Sequence, residues 1–382
     1  MTSRERFLIA MQNGIADRVP CAPDISNYIP CKRTQLPFWE IYFDKAIPLY
    51  KAYSDAASFY GIDMWIASVA SIPYIYDDSH LTIKRDSTYD KQRDAMYQIT
   101  EYNTPDGVLE EKQVCFRHEP PMHVSRIIKN IEEDWKRYKW LLRTPIAIDT
   151  LEFNRMRTEC ESKGQAFGCF IGYPGFHSWE GFIEGGIETL TYLDADTPHV
   201  LEQWFEKEVE VGTVALELYL AQKPDYVLFG GSGTLTMASP PLIMKYVLPA
   251  LKKWIRMAKE AHVPTMLHSC GKSRTLIDIL VKYTDLDCIN PLEIAPMGDV
   301  DLKEVKATHG KSIALMGNLH TTSVMLYGSP DEVYEQSRKA INDAKENGGF
   351  ILSTGDQCPI DTPDENIFAM VQAAKDFGSY EE

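Results

Sequence analysis

From about residue 165 to the end of the chain, short apolar runs alternate with long amphipathic stretches, and no other feature constrains the fold as tightly. The runs are FGCFIGY (167–173), YVLFGG (226–231), TMLHSC (265–270), DCINPL (287–292), IALMGNL (313–319) and FILSTG (350–355). Strands of this length separated by helical stretches predict β-α repeats around a parallel sheet. VPCAPDI (19–25) and DMWIASVA (63–70) bring the total to eight, the strand count of a (β/α)8 TIM barrel. The expectation is an α/β chain with one barrel domain over residues 1–382.

Helix starts carry a repeated signal, Ser or Thr at the N-cap followed by Pro at the first helical position. Thr197-Pro198, Ser239-Pro240, Ser329-Pro330 and Thr362-Pro363 fit it, and Glu332 and Glu365 predict capping boxes in the last two. Gly348 and Gly378 stand where those two helices should stop. Nearly 100 residues separate the second and third strands, too many for one connection. The span 79–120 reads as a β-hairpin insertion turning at Thr104-Pro105-Asp106-Gly107, within an inserted region of about 79–145 that should cover one mouth of the barrel.

Thirty-nine Lys plus Arg against 55 Asp plus Glu leave a formal charge of −16, a poor match for nucleic acid. No apolar stretch reaches the roughly 20 residues of a membrane helix, and the N-terminus lacks a signal-peptide pattern. The expected compartment is therefore the cytoplasm, where eight cysteines read as thiols rather than as a disulfide framework.

In a barrel the strand ends converge on one mouth, so polar residues there are the first candidates for chemistry. His268 and Cys270 lie two apart at the end of the fifth strand and share a face, and Cys358 lies just beyond the eighth. An imidazole and two thiolates would give zinc (Zn2+) three ligands and leave a fourth position open, the pattern of a catalytic site. A packed histidine beside a buried thiol is the plainer alternative for the pair alone.

The stretches RERFLIAMQNGIADRVPCAPD (4–24), SPPLIMKYVLPALKKWIRMAKEAHVPTMLHSCGK (239–272), DVDLKEVKATHGKSIALMGNL (299–319) and LSTGDQCPIDTPDENIFAMVQAA (352–374) resemble the uroporphyrinogen decarboxylase superfamily, and within it the zinc-dependent corrinoid methyltransferases. That resemblance implies a (β/α)8 barrel, zinc on His268 and Cys270, and a cobalamin carried by a separate corrinoid protein docked over the mouth. Where the thiol-methylating branch shows G-C-G-x-x-P-x-T-P, this chain reads GDQCPIDTP, which puts Asp356 at the ligand position and Cys358 two residues later. Cys358 is the expected third ligand for its softness, with Asp356 as the alternative. A carboxylate there would make zinc the stronger Lewis acid, suited to removing methyl from an ether. The decarboxylases' arginine-bearing M-R-Q-A-G-R motif is missing; only Lys32 and Arg33 stand nearby.

The expected function is methyl transfer from a small substrate, a methoxylated aromatic ether as first choice, to the Co(I) of the corrinoid partner. A thiol such as coenzyme M as methyl acceptor is the alternative, followed by a decarboxylase and a non-catalytic barrel. Asp24, Tyr173, His177, Trp179, Asn290, Asn318 and His320 are the expected substrate-binding residues, with Glu180 or Glu184 as a displaceable fourth ligand. A second copy of the chain is a further candidate partner.

Overall fold

The computed structural model describes residues 1–65, 70–77 and 79–380. Two short strands, β1 (Tyr74–Ile75) and β6 (Ala147–Ile148), pair antiparallel and bracket an insertion. Within it β2 (Thr82–Asp90), β3 (Ala95–Thr104), β4 (Gly107–Phe116) and β5 (Met122–Ser125) form an antiparallel sheet in that order. Thr104 and Gly107 close the turn between β3 and β4, with Gly107 at φ +121°. The insertion is thus four strands rather than one hairpin. The Lys91–Asp94 segment turns the chain before the hairpin read from the sequence, and β5 adds to the far edge of β4.

The parallel sheet holds β7 (Gly168–Gly172), β8 (Tyr226–Gly230), β9 (Thr265–His268), β10 (Cys288–Asn290), β11 (Ala314–Leu319) and β12 (Phe350–Thr354), paired in sequence order. These are the six runs read from the sequence, and the architecture is α/β and TIM-barrel-like. The first expected strand contributes a single bridge, Cys21 to Leu352, backed by Ala22 N–H to Leu352 O at 2.8 Å. The second joins it through Asp63 N–H to Cys21 O at 2.7 Å and reaches β7 through a bridge from Trp65 to Ala166. Residues 66–69 of that run lie outside the described residues.

Side chains alternate along these strands, so Tyr226, Leu228, Met266, Cys288 and Met316 pack into an interior cluster. Phe7 and Met11 of helix Ser3–Met11 join that cluster, and Phe7 meets the Tyr226 ring at 5.6 Å. One end of the barrel is thereby plugged. At the mouth, Ile128 N–H reaches Phe182 O at 2.9 Å and ties the insertion to the loop after β7.

The caps follow the sequence in part. Ser329 accepts the Glu332 N–H at 3.2 Å, but Thr197 and Ser239 make no side-chain cap bond. Helix Asp364–Phe377 takes Pro363 as its N-cap, one residue later than expected, so the Thr362–Glu365 capping box does not form.

Outside the barrel, Glu208 is half-buried between two indoles. Its carboxylate accepts Trp179 Nε1–H at 2.9 Å and Trp204 Nε1–H at 2.7 Å, and burial pushes its pKa up to about 7. Because the folded protein holds the proton more tightly than the unfolded chain does, stability should fall as pH rises from about 4.5 to 7 and then level off, by on the order of 3 kcal/mol. Urea unfolding followed by tryptophan fluorescence at pH 5 and 7 is expected to show that loss in the native chain and little of it in Glu208→Gln.

Candidate metal centre

The end of β9 leads through Ser269 to Cys270 and Gly271, and the loop after β12 brings Asp356 opposite. Ligand atoms of His268, Cys270 and Asp356 all lie within 4.8 Å of one another, a grouping that could hold a metal ion. His268 Nε2 stands 3.9 Å from Asp356 Oδ1, and the imidazole stacks on the Trp65 indole with centroids 6.5 Å apart. Its Nδ1 is buried without a hydrogen-bond partner among the described residues. Burial pushes the Cys270 thiol up to about 12, with the Asp356 charge adding to the effect, so the thiol must give up a proton to take a metal.

Asp356 sits at φ +150°, a strained conformation for a non-glycine residue that functional sites tolerate when the surroundings enforce it. Thr354 Oγ1 supplies that enforcement. It donates to Asp356 O at 2.7 Å and accepts the Asp24 N–H at 3.0 Å. The same turn directs Cys358 elsewhere: its N–H bonds Asp24 O at 2.7 Å and its side chain is wholly buried. Cys358 is not among the residues of that grouping, whose third member is Asp356. Both residues lie beyond the end of β12, which stops at Thr354, so strand alternation does not govern where their side chains point.

Two further carboxyls surround the group. Asp24 is 4% exposed, and its Oδ1 accepts bonds from Ser26 N–H at 2.9 Å and from Ser26 Oγ–H. Burial raises its pKa and the nearby Asp356 charge adds to the rise, against the Ser26 bonds and His268. Glu293, which sequence reasoning missed, accepts the Gly271 N–H on Oε2, and burial raises its pKa as well. Its only sequence signal is its place three residues after Asn290 at the end of β10.

Asn290 pairs in register with His268 and is 1% exposed, while Asn318 is buried on β11 in register with Ser353. The other expected substrate contacts are arranged differently. Tyr173 is buried, with its hydroxyl 2.6 Å from Thr234 Oγ1. His177 packs behind Gly231, fully enclosed, and burial lowers its pKa to about 3. Trp179 belongs to the outer aromatic cluster, stacked on Trp204 at 5.1 Å with its N–H held by Glu208, so it serves packing rather than the mouth. His320 Nδ1 accepts the N–H groups of Thr322 and Ser323 at 3.1 Å, which makes it a helix cap. Glu180 pairs with Arg126 at 3.2 Å, and Glu184 with Lys129 at 3.3 Å and the Arg126 N–H at 2.8 Å; both anchor the insertion. Of the aromatic residues between 170 and 182, Phe170 and Phe182 are the exposed ones.

The family described as uroporphyrinogen decarboxylase (URO-D) matches residues 182–377, half of the chain, and the chain belongs to that family. A methylated-thiol–coenzyme M methyltransferase of Methanosarcina mazei is 29% identical over 145 residues, 38% of this chain and 36% of that protein. A methylcobamide:CoM methyltransferase of the same organism is 31% identical over 133 residues, 35% of this chain and 36% of that protein. A uroporphyrinogen decarboxylase of Microcystis aeruginosa is 25% identical over 234 residues, 59% of this chain and 63% of that protein. The chain thus spans about a third of the length of the curated methyltransferases it matches. The solved structure of a methyltransferase from Methanosarcina mazei superimposes with a TM-score of 0.63 at 13% identity, covering 99% of both chains, which establishes a shared fold. Among the described residues, no helix is long and apolar enough to cross a membrane.

Proposed function

We propose that the chain is a zinc-dependent methyltransferase that moves a methyl group from a small methyl ether, a methoxylated arene above all, to the Co(I) of a cobalamin on a separate corrinoid protein docked over the mouth. One observation carries the reading, the imidazole, thiol and carboxylate grouped at the open end of the barrel. That donor set fits zinc with a coordination position to spare. Zinc held by His268, Cys270 and Asp356 would supply Lewis-acid stabilisation of the oxygen that loses its methyl group. The chain's own residues do the rest. Trp65 stacks on His268, Thr354 holds the turn that presents Asp356, and Phe170 offers apolar surface that keeps water from the reacting oxygen.

The relatives named as coenzyme M methyltransferases favour a second reading, with a thiol as methyl acceptor. The carboxylate in the third place counts against it, since a hard donor leaves zinc less electron-rich and less able to release a nucleophilic thiolate. A decarboxylase is weaker still. Lys32 bonds Ile360 O at 3.0 Å and Asp361 at 3.1 Å, and Arg33 lies 3.5 Å over the Phe59 ring, so neither is free to hold a polyanion.

Incubating the zinc-loaded chain with methoxyarenes and a Co(I) corrinoid protein is the test. The expected result is methylation of cobalt, seen in its visible spectrum, with one phenol released per methyl and both lost on chelation of zinc. Transfer from methylcobalamin to 2-mercaptoethanesulfonate with none from any ether would move the assignment to the thiol branch.

A further inference from the structure

The His268 imidazole has two nitrogens, and Nε2 is the one that stands 3.9 Å from Asp356 Oδ1. Nδ1 is buried without a hydrogen-bond partner among the described residues. A neutral imidazole carries its proton on one nitrogen and offers the lone pair of the other, so the group that holds an Nδ1 proton leaves Nε2 free for a metal. Buried nitrogens left bare are costly, and most such groups in folded proteins are paired.

The strands flanking β9 supply that group. Met266 on β9 and Cys288 on β10 are in register and belong to the interior cluster, so alternation brings His268 and Asn290, two residues further along, to the same interior side. On the other flank His268 pairs with Gly230, which has no side chain. Asn290 is 1% exposed, and neither its Oδ1 nor its Nδ2 has a partner among the described residues. Two deficits therefore stand side by side. Neighbouring strands lie about 4.8 Å apart, and Nδ1 and Oδ1 each hang one bond beyond Cγ, at the same height above the sheet. The last torsion of an Asn side chain is broad, so a turn of the amide suffices to bring Oδ1 to Nδ1 with both backbones in place. The Trp65 indole, stacked on the ring at 23° from parallel, takes a face of the imidazole and leaves its edges for these contacts.

We propose that Asn290 is a positioning residue of the metal centre: its Oδ1 accepts the Nδ1–H of His268 and so fixes the tautomer in which Nε2 offers its lone pair to the metal. Asn290 acts through the imidazole and touches neither metal nor substrate. Its amide holds the proton on the far edge of the ring, makes Nε2 the more basic donor and keeps the ring from turning. The assignment rests on the zinc reading of His268, Cys270 and Asp356 and is independent of which methyl compound the protein uses.

Zinc affinity, measured by competition with a chromogenic chelator for the native chain, Asn290→Leu and Asn290→Asp, tests it. Asn290→Leu, close in volume but without an acceptor, should bind zinc about 10–100-fold more weakly. Asn290→Asp keeps an acceptor oxygen in the same place and should hold zinc within about threefold of the native chain. A merely structural role predicts the opposite order, because leucine suits an enclosed position without polar partners and an unpaired carboxylate does not. Nuclear magnetic resonance of the chain with isotope-labelled histidine and asparagine needs no variant and decides the matter should Asn290→Leu fail to fold. Zinc loading should leave His268 with a metal-bound Nε2 and a protonated, slowly exchanging Nδ1 that shows an Overhauser contact to the Asn290 amide. Equal zinc affinity in the native chain and Asn290→Leu, Asn290→Asp as weak as Asn290→Leu, or an Nδ1 without that proton would overturn the proposal. Zinc binding that ignores Asn290 removes this assignment alone, whereas a native chain that takes up no zinc removes the zinc reading with it.

Discussion

Asp356→Gly is expected to lose zinc binding by at least about 100-fold, and ether demethylation with it, while Cys358→Ala keeps both. Loss of a residue that merely supports a ligand costs about 10–100-fold in metal affinity or activity, and removing a donor itself must cost more. Glycine is the informative replacement because Asp356 sits at φ +150°. There a non-glycine residue stores about 1–3 kcal/mol of strain, so Asp356→Gly should unfold no earlier than the native chain. Zinc loss without loss of stability would mark Asp356 as a ligand and not as a structural residue. Cys358→Ala empties part of a fully buried position and should lower stability by about 1–2 kcal/mol. Metal content by mass spectrometry of both purified variants, with urea unfolding beside it, gives the answer. Zinc retained in Asp356→Gly and lost in Cys358→Ala would return the third place to the cysteine.

The choice between those two residues shows where sequence reading stops. His268 and Cys270 were legible as a pair from their spacing at a strand end, and their ligand atoms do come together, although β9 itself stops at His268. Alternation does not separate Asp356 from Cys358, and the softness that favoured Cys358 says nothing of position: Asp356 takes a positive φ and the Cys358 N–H is bonded to Asp24 O. Periodicity carries no information about a single positive φ. Trp179 illustrates a second limit: an aromatic cluster near a strand end is equally consistent with a slot or with packing, and Glu208, 29 residues on, settles it by taking the indole N–H. Glu293 and Trp65 were missed because their roles arise from contacts across the barrel, with Gly271 and with His268, that local spacing cannot encode. The six parallel strands were legible because Gly, Pro and Ser or Thr punctuate both ends of each repeat.

Asp63→Ala is expected to destabilise the fold by about 3–5 kcal/mol, the largest stability effect of any single substitution considered for this chain. The Asp63 carboxylate is 2% exposed and takes Arg6 NH1 at 2.7 Å, Arg18 NH1 at 3.0 Å and the Cys21 N–H at 3.0 Å. Its own N–H reaches Cys21 O, so this residue links the first two segments of the barrel, which have few other backbone bonds to each other. Removing it leaves Arg6, which is itself 9% exposed, with Asp17 at 2.6 Å as its remaining carboxylate and Met1 O at 3.1 Å among the described residues. The cost lies in the unpaired charge more than in the lost attraction, because burying two ions nearly cancels what their pairing returns. Arg6→Met together with Asp63→Leu should therefore recover more than half of the loss seen in Asp63→Ala. Chemical denaturation of the native chain, Asp63→Ala and the double variant at one pH measures this directly. A double variant no more stable than Asp63→Ala would show that the backbone link at Cys21, and not charge pairing, holds the two segments together. Because Asp24 follows Cys21 by three residues and its N–H and C=O anchor Thr354 and Cys358, loosening this junction should also weaken zinc retention, although no metal donor has been touched.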